Sequence, residues 1–202
     1  MSSPVVVIGA GLAGLSAALQ IQKADREVIV LEAAERAGGR VQSDSIDGFT
    51  CDRGFQLINA KYPELVALNV LGELDFRFAD RAINVAIDNK LHRLGDPRRY
   101  PFTAFDQATG SVLEKLALVK ALIGKPEANQ SIDEYLIRAG LGKALDRVLK
   151  PFLRGVYLTD LSSVLAPAGL EIIKTFIGGK PGLPRDGVGA LSVALANRVS
   201  DL

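Results

Sequence analysis

The 202-residue sequence holds one cysteine, Cys51, and one histidine, His92. A single cysteine excludes an internal disulfide and fits a reducing, cytoplasmic setting. One residue of each kind excludes a zinc site built from those ligands, and no metal site is expected. Charge of one sign is also missing: Lys+Arg total 24 against Asp+Glu 23, a formal net charge of +1. A nucleic-acid binder needs a concentrated positive excess, so no nucleic-acid partner is expected. There is no internal repeat and no low-complexity tail. The N-terminal residues 1–22 carry no charged side chain, but they lack the positive start and cleavage site of a signal peptide. They are also broken by three glycines, which a spanning helix would not ordinarily be. No other stretch is long and uncharged enough to cross a bilayer.

The same residues read well as strand, turn and helix. Val5 to Ile8 is a short β-branched run suited to a strand in a parallel sheet. Gly9, Gly11 and Gly14 then form G-x-G-x-x-G. The three glycines give a tight turn, close backbone approach to a pyrophosphate, and close packing of helix on strand. The helix that opens there, through Leu15, Ala18 and Leu19, points free N–H groups and the positive end of its dipole at the phosphates. Residues 27–31 read as a second strand, with Glu32 at its C-terminal end, 18 residues beyond Gly14. A carboxylate at that distance accepts hydrogen bonds from ribose hydroxyls and repels a 2′-phosphate, which disfavours NADP. These features predict a dinucleotide site, with an NAD-dependent dehydrogenase as one reading of it.

A second glycine pair follows in Gly38-Gly39-Arg40. As it continues, ERAGGRVQSDSIDGFTCDRGFQLI resembles the superfamily of FAD-dependent amine oxidases, phytoene desaturases and protoporphyrinogen oxidases. There a glycine pair and an arginine follow the ribose acid, and a later Asp-x-Gly element, here Asp52-Arg53-Gly54, lies near the flavin. Two glycines let the backbone pass close to a diphosphate, and a guanidinium offers fixed donors to its oxygens. The resemblance implies FAD as cofactor, with contacts from Gly9, Gly11, Gly14, Glu32, Gly39, Arg40, Gly54, Phe55 and Gln56. It also implies an α/β fold: a Rossmann-like FAD/NAD(P)-binding domain, its parallel sheet incomplete here, with an inserted, mainly helical substrate region. One departure is visible, since the arginine often found two residues after the acid is Ala34. Arg40 as a solvated loop residue and Gln56 as a turn cap are the plain alternatives. Cys51 is expected to be a small buried side chain and not a nucleophile.

Further along, Tyr62-Pro63-Glu64 opens a helix with Leu65, Leu68 and Leu71 on one face, closed by Gly72. Residues 76–78, 83–87 and 91–94 alternate like strands, with Asp88-Asn89-Lys90 as the turn between the last two. His92, in that hairpin, reads as structural. Arg98 and Arg99, in a proline-punctuated loop, read as solvated. Ser111-x-x-Glu114 and Ser131-x-x-Glu134 are capping-box patterns at two helix starts, and Gly140 and Gly142 split the second segment. Residues 162–177 read as a helix, with Pro167 tolerable near its first turns. Pro184, Gly187 and Gly189 approximate the return to the cofactor domain. The expected organisation is residues 1–60 as the first part of the FAD-binding domain, 61–180 as a mainly helical substrate region with a hairpin, and 181–202 as the return segment.

The superfamily's members are longer, so the resemblance implies the N-terminal half of such an enzyme. Two parallel strands alone leave apolar surface and strand edges open, to be covered by self-association or by a C-terminal half. The expected function is FAD-dependent dehydrogenation of an apolar polyene such as a carotenoid precursor, since the helical region is rich in Leu, Ile and Val. A flavin amine oxidase, a protoporphyrinogen-oxidase-like enzyme, or a fragment that does not retain flavin are the alternatives. Peripheral membrane contact would follow from the polyene reading. No catalytic residue is assigned, and the chain alone is expected to be inactive and poorly loaded with flavin.

Overall fold

The computed structural model describes residues 3–54 and 57–200, and the fold is mixed α/β. It divides into two compact units, Met1–Ala79 with Gly179–Leu202, and Asp80–Gly178. Residues 61–79, read from the sequence as part of the helical region, thus fall in the first unit.

The first unit begins with β1 (Val5–Ile8), α1 (Leu12–Lys23) and β2 (Val28–Leu31), the two strands pairing in parallel from Val5 opposite Val28 to Ile8 opposite Leu31. Leu15, Ala18 and Leu19 of α1 are buried in one cluster with Val28 and Val30. The opposite face of this two-stranded sheet is open: Val6, Ile8 and Leu31 are exposed, Ile8 by 88%. An antiparallel hairpin follows, β3 (Gln42–Ile46) and β4 (Phe49–Arg53), turning at Asp47 and Gly48, both at positive φ. Cys51 lies in β4 but is exposed, which corrects the expected burial. The hairpin has no third strand among the described residues, so position within a strand does not here confer cover.

Next come β5 (Ile58–Asn59), α2 (Pro63–Leu68) and β6 (Phe76–Phe78). Helix α2 stops at Asn69 rather than at Gly72: Asn69 takes the left-handed conformation (φ 49°) and its N–H bonds back to Leu65 and Val66. Asparagine tolerates that conformation better than most residues, so the chain turns as soon as it reaches one.

The second unit opens with the hairpin β7 (Ala82–Ile87) and β8 (Lys90–Gly95). The turn is the two-residue Asp88-Asn89, at φ 49° and 59°, values that match a type I′ turn and the twist of its strands. His92 lies half-buried on β8, its Nδ1 2.8 Å from Asp106 Oδ2, a tie between hairpin and loop. Four helices follow: α3 (Val112–Ile123), α4 (Ile132–Arg138), α5 (Lys150–Tyr157) and α6 (Ala166–Gly178). Both reciprocal bonds of the Ser111–Glu114 capping box are made. At Ser131 the hydroxyl accepts from Glu134 N. The core of this unit gathers Ile132 and Leu136 of α4, Leu153 of α5, and Leu170 and Ile173 of α6.

Two details were hidden from sequence reading. A π turn, Leu145–Leu149, precedes α5; Pro151, with no N–H and a ring that crowds the carbonyl four residues back, disfavours a regular α-helical entry there. Helix α6 begins at Ala166, not at 162, because Asp160 caps a separate 3₁₀ turn over Leu161–Ser163. Leu158, ending α5, is forced to φ 53° while 88% exposed. Its side chain contributes little there, so Leu158→Gly should raise stability by roughly 0.5 to 1 kcal/mol, the relief of left-handed strain less glycine's greater chain entropy. Urea-unfolding midpoints measure it, and a lower midpoint would show that the leucine packs.

The chain then returns to the first unit with β9 (Pro181–Pro184) and α7 (Gly189–Ala196). Strand β9 lies between β5 and β6, antiparallel to both. Its prolines stand at its two ends, and Gly182 sits where a Cβ would come 2.5 Å from Arg77 O. Leu191 and Leu195 of α7 enter the same core as α1.

Candidate functional site

The site is built on the start of α1. Gly9 leaves β1 at φ 96°, a conformation glycine adopts without strain. Helix α1 starts with no side-chain cap on Gly11 and no acidic residue in its first turn, so its first N–H groups face outward beside the positive end of the helix dipole. A Cβ placed on Gly14 would stand 1.9 Å from Gly9 O, whereas one on Gly9 or Gly11 would meet nothing within 4 Å. Gly14 therefore lets helix and strand approach, and Gly9 and Gly11 border open space.

Glu32 closes the loop from the end of β2. Its carboxylate accepts from Ala10 N at 2.6 Å and from Ala34 N at 2.9 Å. The N–H groups of Ala34 and Ala10 together hold the carboxyl below its usual range. It is ionised at neutral pH with lone pairs left for further donors. The second glycine pair touches the first: Gly38 N donates to Ala10 O at 2.8 Å, and a Cβ on Gly39 would lie 3.4 Å from Gly11 Cα. Gly38 (φ 128°) is buried, which the sequence reading, choosing Gly39, did not single out.

Arg40 is exposed and makes no ion pair with any described residue. Gly54 (φ 87°) stands beside its backbone, a Cβ there falling 4.0 Å from Arg40 O. The structure thus brings Gly9, Gly11, Gly14, Glu32, Gly39, Arg40 and Gly54 into one neighbourhood; Phe55 and Gln56 lie outside the described residues. Ser43, to which no sequence motif points, and Asp52, expected only as part of the element near the flavin, tie the β3–β4 hairpin to the returning chain. Ser43 Oγ donates to Asp52 Oδ1, which also accepts from Val188 N at 3.0 Å, and Ser43 Oγ accepts from Gly189 N at 2.9 Å. The start of α7 is thereby clamped onto β3 and β4. Gly187 permits it, since a Cβ there would fall 2.4 Å from both Asp52 Oδ1 and Ser43 Oγ. No sequence spacing could have announced a bond across 136 positions.

A separate groove of about 600 Å³ runs along α7, lined among others by Arg36, Glu73, Asp186 and Arg198. It includes none of the glycine-loop residues, and its arginines are already paired, Arg36 with Asp44 and Arg198 with Glu73. The polar chemistry lies at the glycine loop, not there.

A helix start with outward N–H groups, glycines bordering open space and an ionised acid at the adjacent strand end is the arrangement of a protein that holds a diphosphate-linked cofactor. The family model for flavin containing amine oxidoreductases matches residues 12–202, and the chain belongs to that family. FAD is the cofactor this membership implies, in place of the NAD reading, and the open space at Gly9 and Gly11 fits a diphosphate. Among similar proteins, the putrescine oxidase of Kocuria rosea is 36% identical over 125 residues, 59% of this chain and 24% of that one. The coproporphyrinogen III oxidase of Bacillus subtilis (strain 168) is 27% identical over 189 residues, 85% of this chain and 39% of that one. An oxidoreductase from Methanosarcina mazei shares the fold with a TM-score of 0.76 at 22% identity, over 98% of this chain and 49% of that structure. The chain thus spans well under half of these two relatives and about half of the solved structure.

Proposed function

We propose that the chain forms part of an FAD-dependent oxidase acting on a reduced nitrogen compound, with a porphyrinogen as the first-choice substrate class. In this reading the first unit belongs to a Rossmann-like FAD-binding domain and the second to a mainly helical substrate region inserted in it. The observation that carries the cofactor assignment is the uncapped start of α1 with Glu32 beside it. Bound flavin would supply the two-electron chemistry, accepting a hydride equivalent from substrate. The chain's own groups bind and orient: N–H groups of the glycine loop toward the diphosphate, Glu32 toward ribose hydroxyls, Arg40 toward phosphate oxygens.

The substrate class is argued from coverage. An alignment with the coproporphyrinogen III oxidase over 85% of the chain necessarily runs through most of Asp80–Gly178. That favours a porphyrinogen over the polyene expected from the apolar helices, whose Leu and Ile side chains are largely accounted for as core. Amine oxidation is the second reading, favoured by the higher identity to the putrescine oxidase. Anaerobic mixing of the flavin-loaded protein with coproporphyrinogen III or with putrescine separates them by which one bleaches the flavin. Bleaching by neither would sink both.

Replacing Glu32 with Ala should weaken FAD affinity by about 1 to 3 kcal/mol, the range for hydrogen bonds to a charged group. Flavin fluorescence titration reads it, and unchanged affinity would remove Glu32 from the site.

A further inference from the structure

Helix α3 carries a surface that the cofactor site does not explain. At about 100° per residue, Val119, Val112, Ile123, Leu116, Lys120 and Leu113 fall within an arc of roughly 120°. All six are exposed, Leu113 and Ile123 by 78% and 82%, while Ala121 and Leu118 on the other side join the core. The first of two short 3₁₀ turns that precede it, Pro101–Phe105, exposes Phe102 and Phe105 by 84% and 67%. Turn and helix are one surface, because Lys115 Nζ on α3 donates to the carbonyls of Ala104 (2.9 Å) and Asp106 (2.8 Å). Exposed apolar side chains are ordinary when scattered; seven on two elements tied to one another mark an interaction site.

The charges say which kind. Every exposed charged residue between Pro97 and Pro126 is a cation: Arg98, Arg99, Lys120 and Lys125. The two carboxylates of this stretch are engaged, Asp106 with His92, and Glu114 with the backbone N–H groups of Ser111, Gly142 and Ala144. Arg98 and Arg99 pair with Asp96 and Asp80, but Lys120 and Lys125 have no ion-pair partner among the described residues. A second copy docked by two-fold symmetry would bring these lysines toward their own counterparts. A 12-residue helix is too short to span a bilayer, but an apolar helix face with lysines on it suits one that lies in the boundary between headgroups and acyl chains.

We propose that α3 and the turn before it seat the protein on an anionic lipid surface, the aromatic and aliphatic side chains entering the interface and Lys120 and Lys125 meeting the headgroups. The inference does not depend on flavin. The test is co-sedimentation of the chain with vesicles of phosphatidylcholine alone and of phosphatidylcholine with phosphatidylserine. Binding should require phosphatidylserine and weaken about 5-fold for each of Lys120→Ala and Lys125→Ala, the share of one cation near an anionic surface. Leu116→Ser with Ile123→Ser should weaken it about tenfold or more, with the circular dichroism spectrum unchanged because both positions are exposed. Ile8→Ser, on the open face of the β1–β2 sheet, should leave it unchanged. Equal binding to neutral vesicles, indifference to the lysines, or loss on Ile8→Ser would overturn the proposal. So would gel filtration showing that the Leu116/Ile123 face joins two copies or captures an added acidic peptide, without vesicle binding.

Discussion

Gly14→Ala should cost the chain about 3 kcal/mol or more of folding stability, the upper range for forcing atoms into a filled space. The methyl would arrive 1.9 Å from Gly9 O. That neighbour is backbone, so it cannot swing aside as a side-chain tip would; α1 must lift off β1, and Leu15 and Ala18 leave the core with it. Gly11→Ala is the matched contrast. Gly11 has φ −75°, open to any residue, and its Cβ would meet nothing within 4 Å, so stability should stay within about 0.5 kcal/mol. FAD affinity should fall instead, since the methyl occupies the space assigned to the diphosphate. Denaturation midpoints and flavin titration on the two variants separate a packing glycine from a ligand-facing one. Wild-type stability in Gly14→Ala would show that helix and strand lie further apart than described.

Glu114→Ala should be nearly as damaging, at about 3 kcal/mol, because it leaves three backbone donors without their acceptor. The carboxylate accepts from Ser111 N at 2.7 Å, Gly142 N at 2.7 Å and Ala144 N at 3.1 Å, joining the start of α3 to the segment after α4. Burial alone would push this carboxyl up; the N–H groups of Ser111, Ala144 and Gly142 outweigh it and hold the group at about 2, against 4.5 ordinarily. A carboxyl depressed in the folded state adds stability that is present above its unfolded pKa and lost as pH falls toward the folded one. The stability gap between wild type and Glu114→Gln should therefore be full at neutral pH and close between about pH 4.5 and about 2. Urea midpoints across that window check it, and a gap constant with pH would mean that the charge is not what holds the joint.

Spacing along the chain revealed what is held locally. The strand, glycine turn and helix at residues 5–19 follow from short-range sterics, as do the Ser111 cap, the Asp88-Asn89 turn and the place of Pro167. Partners far apart in sequence left no such mark. Glu114 was legible as half of a capping box, but its bonds to Gly142 and Ala144 depend on where the segment after α4 comes to rest. Asp52 was legible only through resemblance, as part of an element near flavin; its carboxylate in fact grips the start of α7. Strand β9 carries no strand signal because two of its four residues are prolines, which a strand accommodates here only at its ends. Cys51 is exposed because a strand of a two-stranded hairpin has no layer to cover it, which its place in a strand does not reveal.

The first unit is made of two pieces of chain with the whole of Asp80–Gly178 synthesised between them. Asn59 meets Lys180 across 121 positions and Asp52 meets Val188 across 136, and closing loops of that length in an open chain carries an entropic cost. The second unit draws its own ends together, Arg81 donating to Ile177 O at 3.0 Å. Once it has formed, β9 emerges beside the strand it must pair with, and most of that loop cost has already been met. On a ribosome, where the earlier-made portion folds first, the cofactor loop is made before the second unit and yet is among the last parts to be locked, waiting for α7 to be translated.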